Sequence, residues 1–134
     1  MHEYLLNLAS DAVKKVWADL SRSAGVTLTA LGVYPCRKGY AQIKDSVLYY
    51  IVHYEKGTAS ELYRTVAAWH GCPAATLESN IRSALKAAYN SGKLLKLNAL
   101  MDADILDKSG VLPNLQFISL IAQYCYYRIL PAAG

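Results

Sequence analysis

The chain has 134 residues, the length of one domain and enough to bury a self-sufficient core. It is 54% hydrophobic and only 18% charged, which excludes a disordered chain. A net charge of +4 is compatible with a polyanionic partner without requiring one. No apolar run reaches the roughly 18 residues of a membrane span, and no cleavable leader is visible around Glu3 and Asp11. Three dispersed cysteines, Cys36, Cys72 and Cys125, fit free thiols in a reducing cytosol better than a disulfide framework. These totals lead us to expect a soluble cytoplasmic protein.

Residues 2 to 22 set Leu5, Leu8, Ala12, Val16 and Leu20 on one side of an expected amphipathic helix, with Val13 and Trp17 beside them. The stripe suits packing on the domain's own core or pairing with a second copy. Membrane contact is disfavoured, because only Lys14 and Lys15 flank it. Ser21 to Thr29, rich in Ser, Gly and Thr, reads as a linker. The chain therefore divides into a helix and linker over 1–30 and a main domain over 31–134.

From Leu31 the text changes to LGVYPCRKGY, in which Pro35 and Gly39 mark irregular backbone and Arg37 and Lys38 form a small basic spot. A helix is predicted from about Tyr40 to Glu55, with Ile43, Val47, Ile51 and Tyr54 inward. Its VLYYIVHY stretch is apolar almost all round, as expected of a central helix. Gly57 ends it, and Thr58 or Ser60 could cap the next.

Ser60 to Asn90 reads as two helices joined by a tight turn. Leu62, Val66 and Trp69 recur at helical spacing in the first, beside the small Ala67 and Ala68. Gly71 supplies a left-handed stop, and Pro73 suits the first turn of the second helix. That helix has an apolar face of Leu77, Ile81, Ala84, Leu85 and Ala88. Its other face holds Ala75, Thr76, Ser79, Arg82, Ser83 and Lys86, with no large apolar residue. This is what a helix-turn-helix requires if its second helix is to enter a DNA major groove. A plain packing hairpin would carry the same pattern.

After Gly92, Leu94 to Met101 is a short apolar helix, followed by acid at Asp102, Asp104 and Asp107. A calcium loop is not expected, since its glycine and terminal glutamate are missing. Pro113 and Asn114 begin a last helix with Leu115, Ile118, Ile121, Ala122, Cys125 and Ile129 inward and Tyr124, Tyr126 and Tyr127 near its end. The sum is an all-α fold of about six helices in one bundle containing a helix-turn-helix, plus the N-terminal amphipathic helix.

At LGVYPCRKGY, taken with Leu62-Tyr63, Ala74, Leu77-Glu78, Ile81-Arg82 and Asn114 to Ile121, the sequence resembles a known family from about Leu31 to Arg128. It is similar to the C-terminal DNA-binding domain of stage zero sporulation protein A, the response regulator of endospore-forming Firmicutes. Leu31, Gly32, Val33 and Lys38, Gly39, Tyr40 are its more telling motifs. The resemblance implies a six-helix, helix-turn-helix domain of a transcription regulator. It also implies double-stranded DNA as partner and head-to-tail dimers on tandem sites.

The resemblance places Glu78 and Arg82 where the family has a glutamate and an arginine on its DNA-reading helix. A glutamate can accept from a cytosine amine, and an arginine can hold guanine or a phosphate. Two further family arginines fall at Thr76 and Ser79 here, the family's serine at Ala75 and a histidine at Ser83. The expected DNA face is Ala75, Thr76, Glu78, Ser79, Arg82, Ser83 and Lys86, with Arg37, Lys38, Arg64 and Lys93 available to phosphates. The family's full-length member carries a phosphorylated receiver domain, and the thirty or so residues before Leu31 are too few for one. Oligomer control is instead expected of the N-terminal helix, with a homodimer formed through it or on DNA.

An enzyme is not expected: His2, His53 and His70 are scattered, and no phosphate loop, nucleophile elbow or paired carboxylate set is present. His70 and Cys72 flank Gly71 without a second ligand pair, so no metal, cofactor or small-molecule substrate is implied. The competing reading is an interaction protein that kept the fold, lost the DNA and forms mixed dimers with a full-length regulator. Thr76, Ser79 and the eleven tyrosines would suit it.

Overall fold

The computed structural model describes residues 10–53, 58–106 and 112–129, and all regular structure among them is helical. The order is α1 (Ser10–Ala30), α2 (Lys38–His53), α3 (Ala59–Trp69), α4 (Ala74–Asn90), a 3-10 turn (Lys93–Leu95), α5 (Lys96–Met101) and α6 (Asn114–Ile129). The expected all-α bundle is present.

Helix α2 is the centre. Ile43, Val47, Leu48 and Ile51 are buried, and α1, α3, α4 and α6 all pack on it, as its near-continuous apolar stretch leads one to expect. Phe117, Ile118, Ile121, Ala122 and Cys125 of α6 complete the same core. Burying each large aliphatic or aromatic side chain contributes about 1.5–3 kcal/mol. Tyr54 and Glu55, expected at the end of α2, lie outside the described residues.

The linker expected at Ser21 to Thr29 is instead helical, because α1 runs on to Ala30. The reason is in the apolar spacing. Leu20, Ala24 and Leu28 continue the stripe at intervals of four, all fully buried. Thr29 Oγ1 folds back to donate to the Gly25 carbonyl at 2.9 Å, so its hydroxyl is used within the helix. The stop comes at Gly32, with φ +92°. Val33 N donates to Leu28 O (2.9 Å) and Gly32 N to Thr29 O (3.1 Å), a Schellman ending. Leu5, Leu8 and the rest of residues 1–9 lie outside the described residues, and Ala12 is exposed while Val16 is half-buried.

The other differences are local. Trp69, expected inward, is 59% exposed: its turn passes the edge of the core, and its ring meets Tyr49 edge-on at 6.1 Å. Leu94 to Met101 divides into the 3-10 turn and α5, burying Leu94 and Leu97 but exposing Leu95 and Leu100. Asp102 takes a left-handed conformation (φ 51°) as the stop of α5, while Asp107 lies outside the described residues. Among the described residues no three His, Cys, Asp or Glu side chains are grouped to hold a metal. None of the described helices is long and apolar enough to cross a membrane.

Candidate nucleic-acid interface

Helices α3 and α4 are joined by a short turn whose geometry follows from its sequence. Thr58 caps α3, its Oγ1 accepting from Glu61 N at 3.1 Å. At the other end Cys72 N donates to Ala67 O (3.0 Å) and Gly71 N to Ala68 O (3.2 Å), the same Schellman ending as at Gly32. Gly71 takes φ +66°, which a residue with a Cβ reaches only at a cost. Pro73 stands at the N-cap of α4, one position ahead of the first turn that its sequence suggests. Its fixed φ of −65° suits that place equally well.

Contacts of α4 and of the turn before it then hold the hairpin in place. Leu77, Ile81, Ala84, Leu85 and Ala88 are all buried, so its whole expected apolar face is used. Asn114 Nδ2 at the start of α6 donates to the Glu78 backbone carbonyl at 3.0 Å. His70 Nε2, at the C-cap of α3, donates to Asp45 Oδ2 on α2 at 2.7 Å. Cys72 lies against α2 as well, with Gln42 Nε2 4.0 Å from its sulfur.

Gly39 sets the relation of α2 to α4. A Cβ built there would lie 2.6 Å from Ala84 Cβ and 2.7 Å from the Asn80 backbone carbonyl. Only a residue without a side chain allows the start of α2 to come this close to the middle of α4. Its neighbours Arg37 and Lys38, both exposed, are thereby held alongside α4. The basic spot, distant in sequence, thus lies next to this helix in space.

Of the side chains expected to face DNA, Ala75, Thr76, Ser79, Arg82, Ser83 and Lys86 are exposed and Glu78 is half-buried. Arg37, Lys38, Arg64 and Lys93 are also exposed, so all the named cations reach solvent. Lys93 is partly engaged: its ammonium sits 4.9 Å from the centre of the Tyr34 ring and hydrogen-bonds the Tyr34 hydroxyl. Among the described residues neither Arg82 nor Lys86 makes an ion pair.

The expected face is not uniform. Glu78, Arg82 and Lys86 form one wall of a cleft of about 510 Å³, closed by Tyr63, Leu85, Tyr89, Leu94 and Leu112 to Leu115. Ala75, Thr76, Ser79 and Ser83 do not line that cleft. Burial pushes the Tyr63 phenol above its ordinary value, the Glu78 carboxylate adds to the rise, and Arg82 opposes it. Tyr63 is therefore a hydrogen-bond donor at neutral pH. Nothing in the linear text marks the cleft, because its lining comes from α3, α4, the 3-10 turn and the segment leading into α6.

The family described as the C-terminal domain of sporulation initiation factor Spo0A matches residues 25–125. This chain belongs to that family. The match covers most of the sequence, and it begins inside α1, in the half of that helix that is buried in the core. The domain is thus a DNA-binding effector domain of the sporulation-regulator type, with an all-α fold to match. No solved structure matches the chain.

Proposed function

We propose that this protein is a sequence-specific, DNA-binding transcription regulator of the cytoplasm, without catalytic activity, in which α3 and α4 act as a helix-turn-helix. The reading rests above all on one observation: the polar face of α4 is exposed, its cations lack ion-pair partners among the described residues, and Gly39 sets two more cations beside it. In this proposal Glu78 and Arg82 read base edges, and Ala75, Thr76, Ser79 and Ser83 let the helix sit close in the major groove. Lys86, Arg37, Lys38, Arg64 and Lys93 neutralise phosphates. The start of α4 has no acidic residue in its first turn and no side-chain cap, so its amide groups favour a phosphate as well.

The test is a salt series against random and then selected duplexes. Affinity should fall steeply as salt rises, and Arg82→Ala should weaken binding to a selected site by about 1–3 kcal/mol without lowering stability. Unchanged affinity in a gel-shift titration would remove Arg82 from the reading role. The interaction-only reading is favoured by the uncharged Thr76 and Ser79 and by the exposed Trp69 against Tyr49. A folded protein that binds no duplex even at low salt decides for it.

We also propose a homodimer, on DNA or through the N-terminal helix. The buried half of α1 is occupied by the protein's own core, so pairing falls to its exposed apolar residues, Trp17 and the 65% exposed Val26. Light scattering should then show a smaller mass for Val26→Lys. Equal masses would rule out pairing through α1.

A further inference from the structure

The cleft beside α4 has the size and lining of a small-molecule site. Its volume of about 510 Å³ lies within the usual range for ligand pockets. Leu85, Leu94 and Leu112 give it an apolar floor, and the ring of Tyr63 offers a flat face and a protonated hydroxyl. Arg82 and Lys86 stand at its exposed rim with no carboxylate paired to either among the described residues. Glu78 is the opposing charge in the wall, so the cationic side chains outnumber the acidic one. An apolar floor under two cations fits a molecule with a flat apolar body and one anionic end.

We propose that this cleft binds a small aromatic anion, a carboxylate or sulfonate, whose charge engages Arg82 and Lys86 while its ring lies between Tyr63 and the leucines. The regulatory consequence rests on the DNA-reading proposal above. Arg82 and Lys86 are the cations α4 would present to DNA, so a bound anion occupies the groups the duplex requires. Ligand and DNA therefore oppose each other, and each weakens the other by the same factor.

Anilinonaphthalene sulfonate is a suitable probe, because it carries both features and its fluorescence reports burial. With the full chain and no DNA, it should bind saturably at one site. Amide shifts in a heteronuclear NMR titration should centre on Tyr63, Leu85, Leu94 and Leu112. Leu112→Trp fills the cleft from a segment outside the proposed DNA face. It should weaken the probe by about tenfold or more, that is about 1.4 kcal/mol, with helicity and duplex affinity unchanged. Lys86→Ala should weaken both probe and duplex. Absence of saturable binding, or wild-type binding by a folded Leu112→Trp, overturns the site. Probe binding that a bound duplex leaves unaltered overturns the antagonism. If no duplex binds at all, the DNA-reading proposal falls and takes the antagonism with it, while the probe titration still decides the cleft.

Discussion

Helices α1 and α4 are built alike on the inside and differ on the outside. Each lays a row of aliphatic residues into the core: Leu20, Ala24 and Leu28 from one, Leu77, Ile81, Ala84, Leu85 and Ala88 from the other. On the outer side of α1 two of the cations are paired, while Lys14 stays exposed without an ion pair among the described residues. Lys15 and Arg22 both reach Asp19, at 3.3 and 3.4 Å. Such intrahelical pairs stabilise a helix by only about 0.2–0.5 kcal/mol each. On α4, Arg82 and Lys86 have no such partner among the described residues, so their charge remains available to a polyanion. Amphipathicity therefore builds both helices, and what marks α4 as the candidate reading helix is the glycine turn that joins it to α3 together with the close approach of Gly39.

The largest expected effect breaks the likeness of the two inner faces. Leu20→Ala removes a fully buried side chain and should destabilise the domain by about 2–5 kcal/mol in urea unfolding. Below its transition it should still bind duplex with wild-type affinity, because Leu20 supports the bundle and not the outer face of α4. A loss of affinity in a sample shown to be folded would mean that α1 belongs to the interface and that the contrast is false.

Next comes Gly39→Ala, which acts on the joint between α2 and α4. The added methyl meets the Asn80 carbonyl, which is backbone and cannot swing aside. Overpacking of this kind costs about 1–3 kcal/mol. Both readouts should move: the urea midpoint falls, and duplex binding weakens as Arg37 and Lys38 shift relative to α4. Wild-type values for both would show that the close approach has no role in assembling the basic surface.

The fold was legible because its rules are local and periodic. The inner face of α4 could be listed residue by residue from spacing, and the glycine stop at Gly71 from composition. Where local reading failed, a longer-range fact decided. Ser21 to Thr29 looks like a linker by residue type, but Leu20, Ala24 and Leu28 in the core outweigh the mild helix aversion of Ser, Gly and Thr. Trp69 fits the apolar spacing of α3, but spacing does not say where the core ends. The candidate interface was legible as a face and not as a surface. Gly39 brings Arg37 and Lys38 to α4 through tertiary contact, and the cleft behind Arg82 is shared among four segments. No periodicity in the chain records either.

The smallest expected effect isolates the outer faces themselves. Lys15→Ala and Lys86→Ala each remove one exposed cation, and each should change stability by no more than about 0.5 kcal/mol. Their effects on DNA binding should nevertheless differ. A cation that neutralises a phosphate on binding releases a counterion, so losing it makes the dependence of log affinity on log salt shallower by about 0.9. Lys86→Ala should show that change. Lys15 is already paired with Asp19 on a different helix, and its loss should leave the slope where it was. Equal slopes for both variants would mean that net charge alone drives binding, with no special role for α4. A changed slope for Lys86 alone would locate a phosphate contact on that helix, independently of which bases Arg82 and Glu78 read.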